Sequence, residues 1–312
     1  MPDETLIAKA MTAAGGIAAV VALLFSWPWR SPSPRRASIG WALGAAAGVF
    51  IGLWLLDVRP TGTLSDPGQR FLLIVIPAVV TVELVAALTQ TKWAWVGRFA
   101  VAVGILPTIL WGTTYLTDSA GPDTREWSPT VAAGISLAIG TLATLVWAGL
   151  VRLRGRGTGR IAWLGFGALC ALMGFAVVYA GYITGLYFGF AAAAILIGPA
   201  IATLLVKGPV HPGALGIAMA TFVSLLVFGR FLQPLTTAQT LLLAGASLGF
   251  VVADLLPAGP WLRAAVGAVL LAVPAGFGVM QAKQDAIARS IPPNRPTSPT
   301  SGTMQDYLDY GK

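Results

Sequence analysis

The chain is a succession of apolar runs joined by short polar connections. A run of about 18 residues or more, wound as an α-helix, matches the ~30 Å hydrocarbon layer of a bilayer. Such runs recur at Leu6–Trp27, Ile39–Leu56, Phe71–Thr89, Trp93–Tyr115, Thr130–Val151, Ile161–Tyr182, Leu186–Val206, Ala214–Phe231, Ala238–Leu256 and Trp261–Met280. Of 312 residues, 56% are hydrophobic and 10% charged, whereas a soluble domain carries about 25% charged residues. A soluble core burying this many runs would lack the charges to clothe its surface. The sequence therefore predicts an all-α fold, a polytopic transmembrane helix bundle of about ten spans, with the lipid bilayer as its first partner.

Residues 1–280 form the expected membrane domain. The first run follows Asp3 and Glu4 and is closed by no small-residue cleavage site, so it reads as a retained helix. Residues 281–312 carry Pro292, Pro293, Pro296 and Pro299 among Ser, Thr and Gly, the composition of a disordered tail. Its end holds Tyr307, Leu308 and Tyr310, which suit either a docking motif for a protein partner or a solvated terminus.

The net charge is +8, but it does not indicate nucleic acid. Lys and Arg sit in short loops beside apolar runs, where they set orientation and meet anionic headgroups. Arg30, Arg35, Arg36, Lys92, Arg98, Arg152, Arg154, Arg156, Arg160, Lys207 and Arg263 follow odd-numbered spans. The opposite side, leaving out the tail, has Lys9, Arg59, Arg70, Arg125 and Arg230. The bias places the odd loops in the cytoplasm of a cell membrane protein and both termini outside. Arginines and glycines alternate through 152–160 without a phosphate-loop pattern or a preceding strand, so that stretch reads as a cytoplasmic connector.

Two charges lie deep in apolar runs. Glu83 stands seven residues before Gln90, and Arg98 six after Lys92. At 1.5 Å per residue both are roughly 9–10 Å below one turn. The short turn makes the two helices antiparallel neighbours, so the charges share a depth. A charge at a helix centre costs about 2.5–3.5 kcal/mol on the insertion scale, so Glu83 should pair or take up a proton. Two roles stand open: an ion pair that locks a hairpin, or a carboxylate on a substrate or proton path. Asp254 and Arg263 repeat the arrangement at shallower depth around residues 257–260. With matching Trp, Arg and Pro flanks, this suggests two parallel four-span units, 6–115 and 186–280, separated by two spans. The alternative is that Trp, Arg and Pro merely mark membrane boundaries.

Gly40, Gly44, Gly48 and Gly52 recur at i+4 on one helix face. Small residues let helix backbones approach in lipid, so this is a predicted packing seam. Cys170 and His211 are single residues of their type, and neither HExxH nor CxxC spacing occurs. Neither a metal nor a cofactor is expected. No Ser/His/Asp set appears either, which makes an intramembrane enzyme the weakest reading. The leading expectation is a permease-like carrier of an unknown small-molecule ligand, a small solute or a lipid-like molecule. The alternative is a non-catalytic membrane scaffold or assembly subunit.

Overall fold

A computed structural model describes residues 4–26, 34–89, 91–117, 125–154, 158–206 and 210–290. The regular structure among them is helical: α1 Glu4–Ser26, α2 Pro34–Leu55, α3 Pro67–Thr89, α4 Ala94–Leu110, α5 Pro129–Leu153, α6 Gly159–Tyr179, α7 Ile183–Val206, α8 Gly213–Leu232, α9 Thr237–Ala246, α10 Gly249–Ala253 and α11 Pro260–Ser290. Among the described residues, eight helices are long and apolar enough to cross a membrane: α1, α2, α3, α5, α6, α7, α8 and α11.

The expected fourth and ninth spans differ from the rest, for local reasons. The fourth stops at Leu110, giving a 17-residue α4 rather than a helix to Tyr115. Trp111 leaves helical geometry and Gly112 takes φ 75°, a conformation that glycine adopts without a Cβ penalty. The ninth is two pieces, α9 and α10. The Ser247 and Leu248 amides reach back three residues to the Ala244 and Gly245 carbonyls, a tight turn that ends the α-helix. The Ser247 hydroxyl also donates to the Ala244 carbonyl. The chain restarts at Gly249, where an added Cβ would lie 2.8 Å from the backbone nitrogen of Leu271 on α11.

One π-helical turn, Phe71–Val75, interrupts α3, and a second, Phe228–Leu232, ends α8. In the first, the Ile76 N–H reaches five residues back to the Phe71 carbonyl, just before Pro77. The wider turn makes room for a proline that cannot donate and would crowd the preceding turn. Phe188 of α7 bridges the two π turns, 4.7 Å from Phe71 and 6.3 Å from Phe228 between ring centroids.

α8 is the central helix. Its apolar window is 78% buried, against 28% for α1, α5 and α11. α2 lies on α1 through its glycine face. A Cβ on Gly44 would stand 2.9 Å from the Ala18 carbonyl oxygen, on Gly48 2.5 Å from that of Ala14, and on Gly52 2.9 Å from the Ala14 methyl. One on Gly40 would collide with Phe25. α7 closes the same cluster, with Gly198 against the Gly15 backbone.

The 31-residue α11 runs to Ser290, so the boundary expected at residue 280 falls inside a helix. Its last turns are held by Gln239 Nε2 donating to Asp285 Oδ2 at 2.7 Å and Arg289 Nη2 donating to the Tyr179 carbonyl at 3.2 Å. The tail 291–312, with Tyr307, Leu308 and Tyr310, lies outside the described residues, as do 155–157 of the basic connector.

Gly48→Leu would overpack the α1–α2 contact against backbone and should cost about 1–3 kcal/mol. Gly16→Ala, where an added Cβ meets nothing within 4 Å, should be neutral or slightly stabilising. Thermal unfolding of the two purified variants in detergent checks the contrast.

Candidate functional site

Glu83 and Arg98 face each other. Arg98 Nε donates to Glu83 Oε1 at 2.7 Å and Arg98 Nη2 to Oε2 at 2.9 Å, a two-pronged ion pair. Both side chains are buried, 1% exposed for Glu83 and 7% for Arg98. That burial makes the pair a different object from a surface salt bridge: neither charge has water to fall back on.

Two more helices complete the surroundings. The Arg98 guanidinium lies 4.5 Å from the Trp95 ring centre and 5.3 Å from that of Trp147 on α5. The negative faces of these rings add attraction for the cation. Glu83 rests on α8 at Gly216, where a Cβ would come within 2.8 Å of Glu83 Cγ and 2.6 Å of Trp147 Cζ2. The missing side chain at 216 makes the space the carboxylate occupies.

Asp254 and Arg263 also meet, more loosely, at 3.5 Å. Arg263 Nε donates to the Leu256 carbonyl within the same turn, and its side chain is more exposed than that of Arg98. The two acid–arginine hairpins thus differ in burial and in geometry. Gly40, Gly44, Gly48 and Gly52 face α1 instead, on the α1–α2 contact.

The sequence pattern assigns Arg70 to a loop, whereas the structure makes it a buried structural cation within α3. Its Nη1 donates to the Ile109 carbonyl at 2.8 Å and to that of Trp111, and its Nη2 to the Ser65 carbonyl at 2.8 Å. The last carbonyls of α4 lack intrahelical partners and carry the negative end of the helix dipole, which a cation satisfies. The early stop of α4 is the signal, but it becomes visible only once the helix end is known.

A cavity of about 420 Å³ lies between α5, α8 and α9. Its walls include Ile135, Ile139, Ala143 and Val146 of α5, Met219, Phe222, Val223 and Leu226 of α8, and Leu241 and Ala244 of α9. Trp127, Arg230, Thr237 and Thr240 bring polar groups to one part of the lining, and Ser247, at the other end of α9, donates its hydroxyl to the Ala244 carbonyl. Arg230 is the charged residue among those lining it. The inner wall abuts the ion pair's surroundings: Val146 precedes Trp147, and Met219 is one turn from Gly216. Sequence reading did not find this cavity, because its walls come from three helices and ordinary apolar residues.

Two titratable groups in connections have displaced pKa values. Burial foremost, then the Asp66 charge, pushes the Tyr182 phenol up to about 12, against a hydrogen bond with Thr184 that lowers it. Burial, then Arg154, pushes His211 down to about 4. His211 packs 6.0 Å from Trp41, which in turn meets Trp163 edge-on at 5.5 Å. Compared with protein-family models, curated proteins and solved structures, the chain matches none.

A neutral His211 in the folded state means that the unfolded chain binds the extra proton below pH ~6.5. Stability should therefore fall as pH drops from about 6.5 toward 4, and His211→Gln should flatten that part of the melting profile. For the ion pair, Glu83→Gln or Arg98→Ala leaves a buried charge uncompensated and should cost about 3–5 kcal/mol. The double change Glu83→Met/Arg98→Met should recover most of the lost melting temperature, since apolar replacement of a buried pair is often neutral.

Proposed function

We propose that this integral membrane protein is a carrier for a lipid-like molecule, which enters the α5–α8–α9 groove sideways from the bilayer. The observation that carries the reading is the groove's lining. It is mostly apolar, carries its one charged side chain at the Arg230 end and a backbone-bonded Ser247 hydroxyl at the other, and is edged by Leu142 and Leu241, which are 38% and 66% exposed. A water-soluble solute would find few hydrogen-bonding partners there, whereas an amphiphile matches both parts of the lining.

The walls also include the chain's least regular helices. α8 ends in a π turn, and α9 breaks from α10 at Ser247–Leu248. π turns are frequent at functional sites, and discontinuous helices are a recurring feature of transporter sites. The Glu83–Arg98 pair supports this path from behind, through Trp147 and Gly216.

In this reading the chain crosses the membrane ten times, with the short α4 as the fourth crossing and α9–α10 together as the ninth. The Lys and Arg bias puts the Glu83–Arg98 turn on the cytoplasmic side of the cell membrane, and the Arg230 end of the groove on the opposite side with both termini. The two four-span units, 6–115 and 186–280, belong to the same proposal. They rest on acid–arginine contacts across both hairpin turns, at 2.7 and 3.5 Å.

The test is translocation of a tail-labelled fluorescent phospholipid in liposomes, read by dithionite quenching. Wild-type protein should expose the inner-leaflet label and Ala244→Trp, which fills the groove, should stop it. Glu83→Met/Arg98→Met should slow it while keeping its melting temperature. Equal rates for wild type and Ala244→Trp would remove the groove from the path, and an unchanged rate in the double variant would make the pair purely architectural.

A further inference from the structure

The groove has one charged end, and that end defines a headgroup. We infer that it holds one acyl chain of an anionic phospholipid, with the lipid phosphate on Arg230. This rests on the reading above that the groove opens to lipid, but not on translocation.

Length is the first argument. From Ile135 to Val146 the groove follows α5 for roughly 16 Å at 1.5 Å per residue, about half of the ~30 Å hydrocarbon layer and so the depth of one leaflet. The second is the level of the cation. Arg230 adjoins the aromatic cluster of Tyr115, Trp127 and Phe231, whose ring centroids are 4.9 to 5.6 Å apart. Tyr and Trp gather where hydrocarbon meets headgroups, so the guanidinium stands at phosphate height while the chain-lining residues extend inward.

The third is the guanidinium's own bonding. Among the described residues the Arg230 guanidinium makes no hydrogen bond or ion pair and sits over the Phe231 ring at 5.6 Å. A guanidinium has five N–H donors in a planar fork that fits phosphate oxygens two at a time. No carboxylate is among the residues lining the groove, so nothing there favours the ammonium of a zwitterionic headgroup. Thr237, at the same end, brings a hydroxyl within the lining.

The experiment is native mass spectrometry of the purified full chain from detergent micelles containing equal amounts of phosphatidylglycerol and phosphatidylcholine with identical acyl chains. Both lipids offer a phosphate, but the choline ammonium offsets its charge and is repelled by Arg230, so wild-type protein should retain phosphatidylglycerol about tenfold over phosphatidylcholine. Arg230→Gln should bring the ratio near one, and Arg230→Lys should keep part of the preference. Ala244→Trp and Ala143→Phe, which fill the groove from different helices, should each reduce retention of both lipids.

A preference that survives Arg230→Gln overturns the assignment. So does phosphatidylglycerol retention that survives both groove-filling changes, or a wild-type protein that retains neither lipid. If the preference behaves as expected but labelled lipid is not translocated, the carrier reading fails and the binding site stands. Translocation without the Arg230-dependent preference gives the reverse.

Discussion

Four helices converge on one buried ion pair. Glu83 comes from α3 and Arg98 from α4, Trp147 of α5 covers the guanidinium, and Gly216 of α8 leaves room for the carboxylate. In hydrocarbon neither charge tolerates separation from the other, so the pair fixes how deep α3 and α4 sit relative to each other. It also fixes what α5 and α8 can present at that level. A larger residue at 216 would displace Glu83 or Trp147, and α8 would have to move with it. Since α8 is the central helix, an electrostatic requirement at one turn becomes a packing requirement for the bundle.

The remaining packing divides into two kinds. On the α1–α2–α7 side, small residues face one another and backbones approach until no room is left. Gly48 against Ala14 and Gly198 against Gly15 are the tightest approaches to backbone. In lipid this is a stable arrangement because dispersion between close backbones replaces the hydrophobic effect that water would provide. On the α5–α8–α9 side the facing residues are Ile, Leu, Phe and Met, and α9 is ten residues long. α9 walls the groove along its length, from Thr237 to Ser247, without closing onto α5 and α8.

Sequence reading recovers what depends on local pattern. Long apolar runs give the eight long apolar helices within a few residues at most ends, and counting residues from the turn gives Glu83 and Arg98 a common depth. The groove is beyond such reading because it depends on partners distant in the chain: Val146, Met219 and Ala244 look like any lipid-facing or core residue until three helices are placed together. Trp147 and Gly216 escaped for the same reason. The break between α9 and α10 is an intermediate case. Gly245, Ser247 and Gly249 are weak helix formers within a run whose hydropathy says span, and hydropathy outweighs them when counted over a long window. It is the hydrogen bonding of Ser247 to the preceding turn, with close approach of Gly249 to α11, that decides for two pieces.

Arg70 and Arg230 show how the same side chain acquires different work at one end of the bundle. Each adjoins or occupies a π turn, and both were counted together as loop cations by the charge bias. Arg70 donates into carbonyls at the end of α4 and at Ser65. Those donors are committed, and removing them would leave helix-end carbonyls buried without partners. Arg230 lies on the wall of an open groove, with its guanidinium carbon over the Phe231 ring at 5.6 Å. A cation whose donors are consumed by the fold is architecture. A cation at a groove mouth, whose donors the fold does not consume, is where an anionic headgroup has something to gain.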